Sequence, residues 1–246
     1  MFMLCYKNGG LAREHIRDAI NKTSSTIDKS WDAFNKTALT TPALGQSQPT
    51  DPMRLGLFFP RPEIVPNVKA GTWRYLYTPS SSNLAAVSDT TWPVPTADAR
   101  AILESQFLSL RLRSQSLVNP QGHLPAQPRR IYMVGGGAVN PAIAELAGQV
   151  LGGSEGVFKL EIGGNACALG GAYKAAWGVH RRSGDEKFED FLADRWSEES
   201  FVRRICDGYR EGVFEKYGEA LGGFEKVEAM AIREAGQGVV ARGVHA

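Results

Sequence analysis

The chain has 246 residues, 43% of them hydrophobic and 22% charged, with 28 Lys and Arg against 26 Asp and Glu. This balance excludes a collagenous, coiled-coil or disordered chain, and a net charge of +2 gives no electrostatic reason to expect nucleic acid or an anionic membrane as a partner. Three scattered cysteines (Cys5, Cys167, Cys206) make neither a disulfide framework nor a zinc site. With no membrane-length apolar run and no signal peptide, the chain reads as a cytoplasmic globular protein.

Residues 1–6 form an entirely apolar run ended by Lys7-Asn8-Gly9-Gly10, which predicts a buried strand and its turn. Residues 11–20 carry Leu11, His15, Ile16 and Ile20 at helical spacing, with Arg13, Glu14, Arg17 and Asp18 on the wet face. A second helix fits residues 30–39, capped by Ser30 and anchored by Trp31, Phe34 and Leu39. Residues 40–95 are rich in Pro, Thr, Ser and Gly, and inside them 55–59 and 72–77 have strand composition; this predicts a β excursion on the surface of a larger fold. Residues 96–117 predict a long helix capped by Thr96, with Ile102, Leu103, Gln106, Phe107 and Leu110 inward and Arg111, Arg113 and Gln115 in water.

The most informative stretch is 130–178. Ile131-Tyr132-Met133-Val134 reads as a buried strand, Gly135-Gly136-Gly137 follows at once, and Asn140-Pro141 opens a helix with a good cap and proline at its first position. Residues 157–162 predict a second strand, 163–165 a second glycine turn, and 166–177 a helix of small residues suited to tight packing. This order of strand, glycine turn and helix, twice over, is α/β layering. Residues 185–246 predict one or two amphipathic helices, with 236–246 frayed.

A glycine cluster between strand and helix lets backbone approach a ligand, and free amides at a helix end attract phosphate, so residues 135–140 are the candidate nucleotide site; a tight turn explains the same glycines equally well. No Walker A string occurs. A Rossmann reading has Gly135 and Gly137 in place and Glu161 near the ribose position, but its third glycine falls on Asn140. Asn165 reads as a helix cap. Cys5 and Cys167 read as small core residues, and the four histidines show no ligand spacing. Trp31 can stack on an adenine ring, although a core anchor is the commoner role for such a tryptophan.

Taken together, several segments resemble eukaryotic members of the FGGY carbohydrate kinase family that act on D-xylulose. Residues 4–17 (LCYKNGGLAREHIR) resemble their C-KNGSL-RE-IR segment, and residues 30–34 (SWDAF) are similar to SW-x-x-F. Residues 55–66 (LGLFFPRPEIVP) resemble the strand and E-I-x-P that follow. Residues 135–140 (GGGAVN) correspond to the GGAS-x-N adenosine motif, and residues 162–173 (IGGNACALGGAY) resemble the NSA-x-x-GSAY helix. The likeness runs in order from Met1 to Gly178.

The resemblance implies an actin-like ATPase (ribonuclease H-like) α/β second domain of a sugar kinase over residues 1–183, with a β excursion, and a helical extension over 184–246. Such enzymes transfer the γ-phosphate of ATP, with Mg²⁺, to D-xylulose, giving D-xylulose 5-phosphate. By the same likeness Gly135, Gly136, Gly137 and Asn140 contact ATP and Trp31 lies near the adenine. The Gly137-Ala138-Val139 stretch departs from the serine of many relatives. The family's sugar site, catalytic aspartate and phosphate turn precede the segment that matches Met1. No catalytic residue is therefore expected in this chain, which reads as truncated at its N-terminus, inactive alone and poorly soluble. Three alternatives stay open: another FGGY sugar kinase, a non-catalytic nucleotide-binding protein, and a Rossmann oxidoreductase.

Overall fold

The computed structural model describes residues 3–23, 29–162, 165–193 and 195–240. The strand β1 (Met53–Phe59, MRLGLFF) is apolar at nearly every position and is buried at six of its seven residues. A strand so apolar on both faces belongs inside. It pairs antiparallel with β2 (Gly71–Thr78), Leu57 opposite Trp73, and β2 pairs with β3 (Asn83–Ala86). The helices α3 (Asp98–Ser114) and α8 (Val213–Val240) pack over β1. The β excursion therefore begins in the core and runs outward through β2 to the exposed β3.

Helix α3 is the centre of the molecule. Its residues from Asp98 to Ser109 are buried except Gln106, because α1 (Gly9–Thr23), α2 (Asp32–Thr40), α4 (Pro141–Leu151), α8 and β1 surround it. Each fully buried anchor in this core, such as Phe34, Leu55 or Leu103, contributes about 1.5–3 kcal/mol. Thr96 does not cap α3. The helix starts at Asp98, whose carboxylate accepts from the Trp92 indole (2.7 Å) and pairs with Arg74 (2.6 Å).

The second sheet runs β4 (Arg130–Met133), β5 (Gly156–Leu160), β6 (Val202–Cys206). β4 and β5 are parallel, joined through α4; β5 and β6 are antiparallel. α5 (Ala166–His180), α6 (Phe188–Ala193) and α7 (Glu198–Phe201) lie between β5 and β6 in the chain.

Several expectations need correction. Residues 3–6 form no strand, and Met3 is 82% exposed; Met1 and Phe2 lie outside the described residues. Cys5 and Cys167 are exposed rather than core. The small-residue helix α5 buries none of its residues, so the tight packing expected of it is absent. Asn165 stands at its N-cap position without a side-chain capping bond, and the glycines 163 and 164 before it lie outside the described residues. The mainly helical C-terminal region contains one strand, β6, and α8 continues to Val240 where fraying was expected from 236.

Candidate functional site

The chain leaves β4 through Gly135, whose φ of +83° only glycine adopts without strain. Residues 136–139 then make one 3₁₀ turn, held by an Ala138 N–H bond to the Gly135 carbonyl, and Asn140 begins α4. The Asn140 Oδ1 accepts from the amides of Ala142 (3.0 Å) and Ile143 (3.2 Å). Its Nδ2 donates to Asn35 Oδ1 on α2 at 2.8 Å. One side chain thus caps α4 and ties it to α2. It also corrects one expectation: the first amides of α4 are occupied, and Pro141 has none, so this helix end is no open phosphate cradle.

The bend forms one wall of a cleft of about 490 Å³, lined by Trp31, Asn35, Gly136, Gly137 and Asn140 together with Gly10, Arg13 and Glu14 of α1. Four of the five residues singled out from the sequence meet here; Gly135 sits just outside the lining. A methyl group placed on Gly136 would meet nothing within 4 Å, so the bend is open to a ligand. The Trp31 ring is half-buried. The Arg17 guanidinium lies 4.6 Å over it and Phe34 meets its edge at 5.2 Å, which fixes the indole at the cleft's rim. Arg17, expected in water, is itself buried there.

The opposite wall, α1, is set by a clamp that the sequence alone did not reveal. The Glu63 carboxylate accepts from the backbone amides of Lys7 (2.7 Å), Asn8 (3.0 Å) and Ile64 (2.7 Å), and from the Asn8 side chain (3.0 Å). Asn8 in turn brackets Arg61, donating to its carbonyl and accepting from its amide. Burial would raise the Glu63 pKa, but these donors outweigh it and hold the carboxyl below its usual range. Two recognisable motifs, K-N-G and E-I-x-P, are therefore halves of one lock that aims α1 at the glycine bend. Gly10, Arg13, Glu14 and Asn35 were not read as site residues; the first three had no signal beyond membership of the 4–17 segment, and Asn35, just after SWDAF, had none.

Among the described residues, no group of three His, Cys, Asp or Glu could hold a metal ion, and no helix is long and apolar enough to cross a membrane. His15, His123 and His180 are exposed; His245 lies outside the described residues. A groove of about 520 Å³ between Leu4, α3 and β4 is mainly apolar and holds none of the five candidate site residues.

Residues 1–179 match the FGGY family of carbohydrate kinases, C-terminal domain. The chain belongs to this family. It is 58% identical over 236 residues to "Probable D-xylulose kinase A" of Aspergillus fumigatus, covering 95% of this chain and 41% of that protein. It is 57% identical over 239 residues to "D-xylulose kinase A" of Aspergillus niger, covering 96% of this chain and 42% of that protein. The chain thus spans about two fifths of the length of these relatives. The crystal structure of xylulose kinase from Rhodospirillum rubrum superposes with a TM-score of 0.59 at 19% identity, over 92% of this chain and 38% of that one. The FGGY chain therefore has the actin-like α/β ATPase fold expected of it, and the oxidoreductase alternative falls.

Proposed function

We propose that this chain is the ATP-binding portion of a cytoplasmic kinase that converts D-xylulose to D-xylulose 5-phosphate, and that the cleft between α1, Trp31 and the glycine bend receives the adenosine of ATP. The observation that carries the reading is convergence. Residues far apart in sequence (Trp31, Gly136, Gly137 and Asn140) line one cleft in a chain 58% identical to a probable D-xylulose kinase along 95% of its length. Gly136 leaves room for a nucleoside against the backbone, and Trp31 offers a fixed aromatic edge. Gly135 shapes the bend rather than touching the ligand. Mg²⁺ enters with the nucleotide's phosphates in this reading, since the described residues make no carboxylate cage of their own. In this reading residues 1–183 form the family's C-terminal domain, and 184–246, a largely helical extension most of which the fungal relatives also cover, pack into the same core.

Phosphoryl transfer needs the sugar, the nucleotide and a base held together. In this reading the base comes from outside this chain. The chain by itself should bind ATP and ADP in calorimetric titration, leave NAD unbound, and show no D-xylulose-dependent ATP turnover. Binding of NAD without ATP would overturn the site; turnover by the isolated chain would overturn the division of labour. In the source organism, deleting the gene should abolish D-xylulose phosphorylation in cell extracts. Undiminished activity there would point to another sugar as substrate.

A further inference from the structure

Among the described residues, Arg13 is the one cation that lines the cleft. The side chain is half-buried, and burial lowers its pKa with Glu14 acting against that shift. The Nη1 donates to Gln106 Oε1 at 2.7 Å, and Gln106 Nε2 donates to the Gly9 carbonyl at 2.9 Å, so α3 holds the guanidinium in place. The Nη2 has no hydrogen-bond or ion-pair partner among the described residues. It lies 3.9 Å from where a Cβ on Gly137 would stand, directly beside the glycine bend. Glu14, the next residue, lines the same cleft but makes no ion pair with it.

A half-buried guanidinium with one arm unpaired beside a cavity gains from an anion that meets it. The neighbouring backbone offers that anion little, because Asn140 Oδ1 already occupies the leading amides of α4. The positive charge of the cleft is thus concentrated in one pre-positioned fork, the geometry that suits a phosphate oxygen.

We propose that Arg13 is a phosphate-binding residue of this cleft, its Nη2 donating to a phosphate oxygen of the bound nucleotide while Gln106 fixes the head. The assignment rests on the nucleotide reading above. Titrating the 246-residue chain with adenosine and with ADP tests it. Arg13→Gln should weaken ADP about tenfold or more, the scale of one charge-assisted hydrogen bond, and leave adenosine unchanged. Arg13→Lys, which keeps the charge without the fork, should fall between. Unchanged ADP affinity in Arg13→Gln overturns the proposal. So does an equal loss for adenosine and ADP, which would make Arg13 only a brace between α1 and α3. A wild-type chain that binds neither ligand overturns the nucleotide reading itself, and this assignment with it.

Discussion

Glu63 shows how one side chain can govern a cleft it does not line. Its carboxylate is surrounded by N–H donors, so Glu63→Gln replaces one acceptor oxygen with an NH₂ donor facing other donors and should cost about 1.5–3 kcal/mol. Because the folded-state pKa is depressed, this stabilisation is fully present above the ordinary carboxylate pKa and disappears as pH falls through the folded value. Urea melts at pH 7 and pH 4 should therefore show the gap between wild type and Glu63→Gln narrowing in acid; a constant gap would contradict the clamp. Asn140→Ala removes both a cap and the tie to Asn35, and should lower stability by about 1 kcal/mol while weakening ADP binding. The role of Asn140 as a cap was legible because an asparagine followed by proline is a local signal. Arg17 and Arg111 were not. An amphipathic reading puts every arginine in water, yet a long apolar stem can carry the head inward to whatever accepts it. Arg111 finds the carbonyls of Val150 (3.0 Å) and Phe214 (2.7 Å) and the face of Phe214, and burial brings its pKa down to about 10.

At the level of elements, α4 meets the segment following β6 most closely at Gly148. A Cβ on Gly148 would stand 2.4 Å from the Asp207 carbonyl oxygen and 3.2 Å from Gly208 Cα. Gly148→Ala must push that segment away and should cost about 1–3 kcal/mol in denaturant melts. Gly170 on α5 is the contrasting case: a Cβ there meets nothing within 4 Å, so Gly170→Ala should leave the midpoint unchanged or slightly raised. The helix α4, the strands flanking it and the bend between them could be read ahead because each carries its own periodicity and stop signals. β6 could not. Its sequence, Val-Arg-Arg-Ile-Cys, has little strand character, and it becomes a strand because the edge of β5 stands ready to pair with it. Likewise the apolar run before Lys7 has strand composition but no strand beside it among the described residues, and composition cannot supply a partner.

Across the whole molecule, one buried network joins elements that lie far apart in sequence. Arg100 donates to Glu104 (2.7 Å), Gln149 (2.7 Å), Tyr217 (2.8 Å) and the Ala38 carbonyl (3.0 Å), while Glu104 also accepts from Tyr217 (2.7 Å) and the Leu44 amide (2.8 Å). Burial and the Glu104 charge raise the Tyr217 pKa well above its ordinary value, so the hydroxyl stays a donor. Removing one charge strands the other: Glu104→Ala should cost about 3–5 kcal/mol, and Arg100→Met together with Glu104→Leu should recover part of that loss. If the single and double variants melt together, the pair is not coupled. α5 stands apart from this cohesion. None of its fifteen residues is buried, so letting it unwind forfeits little, and a helix of that length is marginal in water on its own. Its amide protons should trade for deuterium at the pace of a free peptide helix, long before those of α3, and mass spectrometry of a brief pulse would reveal this as one early, separate wave of labelling.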